Sequence, residues 1–118
     1  MVPSGRLATV EDVLALDVRV GTIVSAGVLR GARTPAYVLS IDLGPLGKRS
    51  AVAEITDLYD SEDLVGLQVA AIVNLPPRQV AGFEAQILVL TVDDGKGQRA
   101  LVIPERPVPD GGKVGDRG

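Results

Sequence analysis

The sequence predicts an all-β protein built as a single small barrel, and three observations support this. Hydrophobic residues make up 46% of the 118 residues, yet the chain has only one Phe, two Tyr and no Trp, so its core must be largely aliphatic. Short apolar runs, some alternating and some β-branched, are separated by turns rich in Gly and Pro, as in small β folds. Gly21 interrupts the long first run and predicts a bulge or sharp bend there. The length suits one domain over residues 1–118, with its core at about residues 17–103.

The elements can be placed in chain order. Thr9 and Asp12 have the spacing of a capping box and predict a short helix that ends near Leu16. Strands are predicted at residues 18–29, 36–43, 48–55, 67–73, 87–92 and 98–103. Between the third and fourth strands, Ser61 is placed to cap a helical turn that ends at Leu64. An Asp-Gly pair within residues 93–97 predicts the hairpin that leads into the last strand.

The order of these elements is that of an OB-type barrel. Three strands, a helical insert and then at least two more strands, with a bend in the long first strand, match the five-stranded form of that barrel. A short N-terminal helix and extensions at both termini complete the prediction. A small β-sandwich is the competing architecture, but it would not require the helical insert.

The segment Asn74-Leu75-Pro76-Pro77-Arg78 lies between two apolar runs. Proline lacks a backbone N–H and fixes φ, so two in succession stop a strand and stiffen the chain after it. We expect a rigid, non-helical arm at a strand end, flanked by an amide and a guanidinium. Such an arm is either the rim of a binding site or a stiff linker between strands.

Composition excludes several classes of function. There is no His and no Cys, so imidazole bases, thiol nucleophiles, disulfides and His/Cys zinc sites cannot occur. The acidic residues show no loop spacing typical of an oxygen-only Mg²⁺ or Ca²⁺ site. We therefore expect no catalysis, no cofactor and no metal. No targeting signal or membrane-spanning run is visible, which predicts a cytoplasmic protein.

The net charge of −3 argues at first against a polyanionic partner, but the distribution of charge matters more than its sum. Arg30 and Arg33 share one turn, and Lys48 and Arg49 follow the next. These four residues could form a small basic face on an acidic body. Scattered, solvated charge is the alternative.

Several sequence blocks resemble the tRNA-binding OB domain family, in the order in which the family has them. The blocks are residues 17–23, 35–37, 41–44, 68–69, 74–78, 83 and 88–90. The likeness covers about residues 9–114 and extends to the stand-alone CsaA-type members in particular, through residues 104–111. It implies an OB fold, a homodimer, tRNA binding and, for CsaA-type proteins, a proposed export-related chaperone role. Apolar side chains in the flanks (Leu7, Val10 and Val108) independently favour dimerisation because they need cover.

Two departures from the family pattern affect the binding face. Where the family typically has Ser-Ser-Ala-Gln-Ile-Thr, residues 51–56 read Ala-Val-Ala-Glu-Ile-Thr, and a common Ser-Glu pair is replaced by Ala85-Gln86. The exchange of Gln for Glu at Glu54 and of Glu for Gln at Gln86 suggests that the two side chains share a hydrogen bond with its ends reversed. Independent change at two exposed sites is the alternative.

The lost hydroxyls and the scarcity of aromatic residues predict tRNA binding by shape and phosphate contacts, with strong salt sensitivity. The candidate RNA-binding residues are Arg30, Arg33, Lys48, Arg49, Ser50, Glu54, Asn74, Arg78 and Gln86. Tyr37 and Phe83 are expected in the core. Arg19 is expected either to contact phosphate or to pair with Asp17 or Asp42.

The rival prediction is a chaperone that holds extended or unfolded polypeptide in an apolar groove near a dimer axis. Its candidate residues are Leu75, Pro76, Pro77, Val80 and Phe83. A scaffold subunit that docks on a larger tRNA enzyme is a third possibility. Lys48→Glu combined with Arg49→Glu separates the first two, because it should abolish tRNA binding and leave peptide binding largely intact.

Overall fold

A computed structural model describes residues 5–115 as a nearly closed β-barrel with the predicted OB-like architecture. Five strands form one sheet in the order β3-β2-β1-β4-β7. The helical elements are α1 (Val10–Leu14), α2 (Ser61–Leu64) and a 3-10 turn (Gly44–Leu46). The strands are β1 (Val18–Val28), β2 (Tyr37–Asp42), β3 (Lys48–Ala53), β4 (Gln68–Ile72), β5 (Arg78–Val80), β6 (Phe83–Ala85), β7 (Leu88–Val89), β8 (Thr91–Asp93) and β9 (Arg99–Leu101). Within residues 5–115 no helix has the length and apolar character needed to cross a membrane.

The barrel closes through main-chain hydrogen bonds between the two edges of the sheet, β3 and the residues just before β7. Antiparallel pairing joins β1 to β2 and β4, β2 to β3, and β4 to β7. The amides of Gln86 and Ile87, just before β7, both donate to the carbonyl oxygen of Ser50 in β3, at 2.9 and 3.1 Å. This contact brings the two edges of the sheet together and leaves little unpaired edge.

The core is aliphatic, as the composition predicts. Its largest fully buried side chains are Ile23, Leu39, Ile41, Leu43, Ile55, Leu64, Val69 and Ile87. Leu64 brings the short helix α2 into the core cluster. Tyr37 is buried as predicted, and its hydroxyl donates to the carbonyl oxygen of Tyr59 at 2.8 Å. Phe83 is only partly buried and lies outside the core cluster, so the prediction for that residue was wrong.

Gly21 is needed for close packing, and the irregularity of β1 lies further along the strand. Gly21 pairs regularly with Val69, whereas the register with β2 shifts between Ile23 and Ser25. A Cβ atom at Gly21 would lie 2.6 Å from Cγ2 of Ile41 and 2.8 Å from the carbonyl oxygen of Asp42. These distances are too short for any side chain, so glycine lets β1 and β2 approach each other.

The C-terminal extension folds back on its own barrel. We call residues 108–114 the C-terminal strap. Its main chain pairs with β1 through Gly111 N to Val20 O (2.7 Å), Val20 N to Gly112 O (2.9 Å) and Val114 N to Val18 O (2.8 Å). The strap therefore acts as a further antiparallel strand along the first part of β1, with Arg19 bridged to Lys113.

Side chains hold the strap in register. The hydroxyl of Thr22 donates to Oδ1 of Asp110 at 2.7 Å, and Gln68 Nε2 donates to the same oxygen at 3.1 Å. Gln68 also exchanges hydrogen bonds with the main chain of Val108 in both directions. Arg19 pairs with Asp17 at 2.7 Å and donates to the carbonyl oxygen of Gly111, which confirms the Asp17 pairing among the alternatives predicted for this arginine.

Both predicted helical elements are present, with different ends. The capping box is confirmed, since Thr9 Oγ1 accepts from the amide of Asp12 and the Asp12 carboxylate accepts from the amide of Thr9. The helix ends at Leu14, before the predicted end at Leu16. The second helical turn begins at Ser61 itself and is preceded by an N-cap at Asp60, so the predicted cap was wrong by one residue.

The region after β4 differs most from the prediction. Residues 74–77 are irregular as expected, but Arg78 begins a strand, and β5 and β6 form a hairpin that was not predicted. Its two-residue turn, Ala81-Gly82, has positive φ at both positions (50° and 80°). That is the geometry of a type I′ turn, which usually shows Asn-Gly or Asp-Gly in sequence. The turn could not be predicted because alanine, not asparagine or aspartate, occupies its first position.

The last predicted strands are confirmed in shortened form. The run at residues 87–92 is divided into β7 and β8, and β8 pairs with β9 across the predicted hairpin. Positive φ occurs at Gly95 and Gly97. The two aspartates stabilise the turn through their side chains. Asp93 Oδ1 accepts from the amide of Gly95, and Asp94 Oδ1 accepts from the amides of Lys96 and Gln98.

Candidate nucleic-acid interface

Two neighbouring concavities border the end of the barrel where β1 leads into β2. One, of about 450 Å³, has Arg33 and Gln79 in its wall, and the other, of about 260 Å³, has Arg78 and Arg99. Glu54 and Val80 line both. We call this continuous surface the arginine groove and define it by Arg33, Glu54, Arg78, Val80 and Arg99.

The groove is placed by the register of the barrel strands. Tyr37 at the start of β2 pairs with Ala53 at the end of β3, so the loop that carries Arg33 and the residue after β3, Glu54, share one end of the sheet. Ala53 is buried, and side chains alternate along a strand, so Glu54 points away from the core and is exposed. The β5–β6 hairpin contributes Arg78 and Val80 from the other side.

The side chains of the groove differ in how firmly they are held. Arg78 donates to the carbonyl oxygen of Ile87 at 3.3 Å, and Arg99 donates to the hydroxyl and carbonyl oxygens of Thr91. Arg99 also lies 3.8 Å from an oxygen of Asp93. Within residues 5–115, Arg33 and Glu54 form no side-chain hydrogen bond and no ion pair. These two groups are therefore available to a ligand.

A second cluster lies near the other end of β3. Gln86 Oε1 accepts from the amide of Ser50 at 3.0 Å, and Ser50 Oγ donates to the carbonyl oxygen of Glu84 at 2.8 Å. Arg49 donates to the carbonyl oxygen of Leu46 at 2.7 Å. Ser50, Gln86 and Arg49 thus hold the main chain at the closing seam of the barrel, whereas Lys48 is exposed.

The four cationic residues expected on one face are divided between these regions. Arg30 and Arg33 precede β2, whereas Lys48 pairs with Asp42 at its far end. Five residue steps of about 3.3 Å separate those ends by about 17 Å along the strand. The predicted basic face is therefore two separate cationic positions, which only an extended ligand could contact together.

The hydrogen bond expected between Glu54 and Gln86 is absent. The Gln86 amide is bound to Ser50, four residues before Glu54 on the same strand path, which corresponds to about 13 Å. The apparent exchange of the two residues therefore has no direct contact behind it. Glu54 borders the groove and Gln86 lies at the closing seam, so the two substitutions are in different environments.

Asn74 is used to join α1 to the barrel. Its Nδ2 donates to the carbonyl oxygen of Ala15, and its Oδ1 accepts from the amide of Asp17, both at 2.8 Å. One side chain therefore holds both sides of the turn between α1 and β1. This structural role accounts for an amide at the start of the Asn74–Arg78 segment.

The candidate peptide-binding residues do not form one exposed apolar groove. Val80 and Phe83 pair across the β5–β6 turn, and both are partly buried, as is Leu75. Pro76 and Pro77 are exposed on the connection before them. The large apolar side chains that are more exposed lie elsewhere, and a group of them lies on and around α1.

Arg99, Gln79 and Thr91 border the groove but were not predicted as site residues. Arg99 and Thr91 lie on paired strands, β9 and β8, and the hairpin that joins them was visible in the sequence. Strand alternation counted from that hairpin could have placed Arg99 on the surface. Gln79 could not have been found without the β5–β6 hairpin.

Outside the groove, Glu105 and Arg106 form an ion pair that changes a pKa. The Arg106 guanidinium hydrogen-bonds the carboxylate of Glu105 and holds the pKa of that carboxyl below its usual value. Both side chains are largely exposed. Within residues 5–115 no three acidic side chains are grouped to hold a metal ion.

Sequence comparison identifies the family of the chain. A family model described as "Putative tRNA binding domain" matches residues 18–113. Over 112 residues the chain is 35% identical to the methionine–tRNA ligase of Methanoculleus marisnigri, and over 104 residues it is 38% identical to that of Porphyromonas gingivalis. These matches cover 95% and 88% of the chain but only 16% and 15% of the two ligases.

Solved structures of similar proteins superimpose over nearly the whole chain. The chaperone CsaA of Bacillus anthracis has a TM-score of 0.88 at 43% identity, covering 93% of this chain and 100% of that one. The CsaA chaperone of Picrophilus torridus has a TM-score of 0.86 at 34% identity, covering 92% and 100%. Both the fold and the sequence blocks that carried the resemblance are therefore confirmed, and the chain belongs to the tRNA-binding domain family, with a CsaA-like structure.

Proposed function

We propose that this protein binds tRNA without catalysing a reaction, using the arginine groove and the exposed Lys48. The observation that carries the proposal is the groove itself, where guanidinium groups of Arg33, Arg78 and Arg99 line one surface. Phosphate oxygens are the natural partners of such groups, and contacts to them are largely independent of sequence. A tRNA partner also implies work in the cytoplasm.

The candidate residues contribute to this proposal in different ways. Arg30, Arg33, Lys48 and Arg78 are exposed and are proposed to contact phosphates. Arg49, Ser50, Asn74 and Gln86 use their polar atoms to hold main-chain groups, so they are proposed to shape the surface. With few aromatic side chains available, base stacking contributes little.

The proposal is tested by titrating bulk tRNA at several salt concentrations. Arg33→Gln combined with Arg78→Gln should lower the affinity and reduce the slope of log K against log salt by about 1 to 2, because each lost phosphate contact removes roughly one released counterion. Arg106→Gln is the matched control, since it removes an arginine outside the groove. No tRNA binding by the wild type at low salt would refute the function.

We further propose that two copies of the chain associate through α1. Its apolar side chains Val10, Val13 and Leu14 are 60%, 57% and 48% exposed, and Leu7 beside it is 89% exposed. A second copy would cover this surface and add a second set of phosphate contacts. Val13→Asp should shift the mass in solution from dimer to monomer, whereas Val92→Asp, at a comparably exposed site on β8, should not.

Binding of extended polypeptide is the second candidate function. It is favoured by the CsaA neighbours, which are described as chaperones, and by the exposed apolar residues. A competition assay with an unfolded protein separates the two functions. Lys48→Glu should weaken tRNA binding and spare polypeptide binding, with Arg49 left unchanged because it holds the carbonyl oxygen of Leu46. Loss of both activities would indicate one shared surface.

A further inference from the structure

We propose that Glu54 is a specificity-determining residue of the arginine groove and that it accepts hydrogen bonds from the Watson–Crick edge of an unpaired guanine. The inference depends on the tRNA-binding function proposed above and concerns which part of the RNA the groove recognises. It goes beyond phosphate contact, which carries no sequence information.

The position of Glu54 makes it central to the groove. It follows the last residue of β3, Ala53, and lies in the walls of both concavities. Among the described residues, Val80 is the other one that lines both concavities. A ligand that occupies both concavities must therefore pass beside Glu54.

The carboxylate of Glu54 is uncommitted. Within residues 5–115 it accepts no hydrogen bond, and none of Arg33, Arg78 and Arg99 approaches it within the 4.0 Å of an ion pair. Arg78 and Arg99 are instead held by the carbonyl oxygens of Ile87 and Thr91. The groove thus keeps a free acceptor in the middle of several donors.

An ionised carboxylate accepts hydrogen bonds and cannot donate them. A phosphate placed against it would be repelled, so the group of the RNA that meets Glu54 must be a donor. The candidates are base N–H groups and the ribose 2′-hydroxyl. Guanine has two adjacent donors, N1–H and N2–H₂, which match the two oxygens of one carboxylate.

The arginines beside Glu54 suit a base in this position. A guanidinium plane can stack on a base and can also bind the adjoining phosphate. Arg33, whose side chain is free among the described residues, would do so from one concavity, while Arg78 and Arg99 would contact the backbone in the other. The groove would then read one unpaired guanine within an otherwise nonspecific contact.

The test uses single-stranded RNAs of roughly 12 uridines with one central guanosine, inosine or 2′-deoxyguanosine, titrated at low salt. Inosine lacks only the 2-amino group. The wild type should bind the guanosine RNA about fivefold more tightly than the inosine RNA, and Glu54→Gln should abolish this difference. Glu62→Gln, an equal change of charge at an exposed position of α2, should preserve it.

The alternatives give different results. If Glu54 only repels phosphate, Glu54→Gln will tighten binding of all three RNAs equally, which overturns the proposal. Equal binding of guanosine and inosine with weaker binding of deoxyguanosine would assign Glu54 to the ribose and also overturn it. If the wild type binds bulk tRNA but shows no preference for guanine, only the role proposed for Glu54 is refuted. If the wild type binds no tRNA at all, the proposed tRNA-binding function is refuted as well.

Discussion

The two halves of β1 have opposite tasks although they belong to one continuous strand. Residues 18–23 are enclosed by β4 on one side and by the strap and then β2 on the other. Residues 25–28 pair with β2 alone among the described strands and lead into the loop that carries Arg33. The register shift between Ile23 and Ser25 separates the halves. A small barrel can therefore enclose one half of a strand and let the other half lead into the surface proposed to bind RNA.

Substituting the two glycines of β1 should give the largest difference between its two halves. A Cβ atom at Gly21 would come within 2.8 Å of a main-chain oxygen, whereas one at Gly27 would meet only Cγ2 of Val38, at 3.9 Å. Gly21→Ala should therefore lower the free energy of unfolding by about 3 kcal/mol, because the backbone must shift to admit a methyl group. Gly27→Ala should change it by less than about 1 kcal/mol. Urea denaturation measures both, and equal effects would show that the two halves are not distinct.

The strap should account for the next largest share of stability. Asp110 accepts hydrogen bonds from Thr22 and Gln68 through one oxygen in a partly buried position. Asp110→Ala should cost about 2 kcal/mol, since two donors lose a charged acceptor. Asp94→Ala is the matched control, because Asp94 also accepts two hydrogen bonds but in an exposed hairpin. A loss at Asp94 as large as that at Asp110 would remove the strap's special role.

In the β5–β6 hairpin, which borders the groove, one substitution should increase stability. Ala81 has φ of 50°, a conformation that costs an alanine about 1 kcal/mol or more and glycine much less. Ala81→Gly should raise the free energy of unfolding by about 1 kcal/mol. Gly82→Ala, at the neighbouring position with φ of 80°, should lower it. If thermal unfolding shows both variants less stable than the wild type, the turn is not strained.

The features that could not be predicted lie in both regions, since the β5–β6 hairpin borders the groove and the strap encloses the first half of β1. The barrel strands could be predicted because hydrophobic alternation reports burial directly. The two helices could be predicted from local capping signals, the box of Thr9 and Asp12 for α1 and, displaced by one residue, Ser61 for α2. The β5–β6 hairpin could not, because Ala81 adopts a conformation that its residue type disfavours. The strap escaped prediction for another reason. Its pairing with β1 joins residues about 90 positions apart, and no local pattern encodes such a contact.

The candidate site residues also divide into two groups. Arg33, Arg78 and Glu54 were identified from residue type and context, and the structure brings them to one groove. Asn74 and Gln86 were selected on the same grounds, yet their amides bind main-chain groups of the barrel. Residue type alone does not distinguish a polar side chain that is free from one that is already used. That distinction depends on the main-chain groups which the fold brings within about 3 Å of it.

The smallest expected effect concerns Glu105 and Arg106, which border a shallow concavity beside Thr22. The lowered pKa of Glu105 would add stability that is present above the pKa of the unfolded chain and is lost as the pH falls through the folded value, provided that the unfolded pKa is higher. The two residues are adjacent in sequence and largely exposed, so the same pair can form when the chain is unfolded. The two pKa values should then be nearly equal. Glu105→Gln should leave both the unfolding midpoint and its change between pH 7 and pH 3 the same as in the wild type, whereas Asp110→Ala should alter the midpoint. A pH-dependent difference at Glu105 would show that folding fixes this pair against the barrel and that the enclosure of the first half of β1 extends beyond the strap.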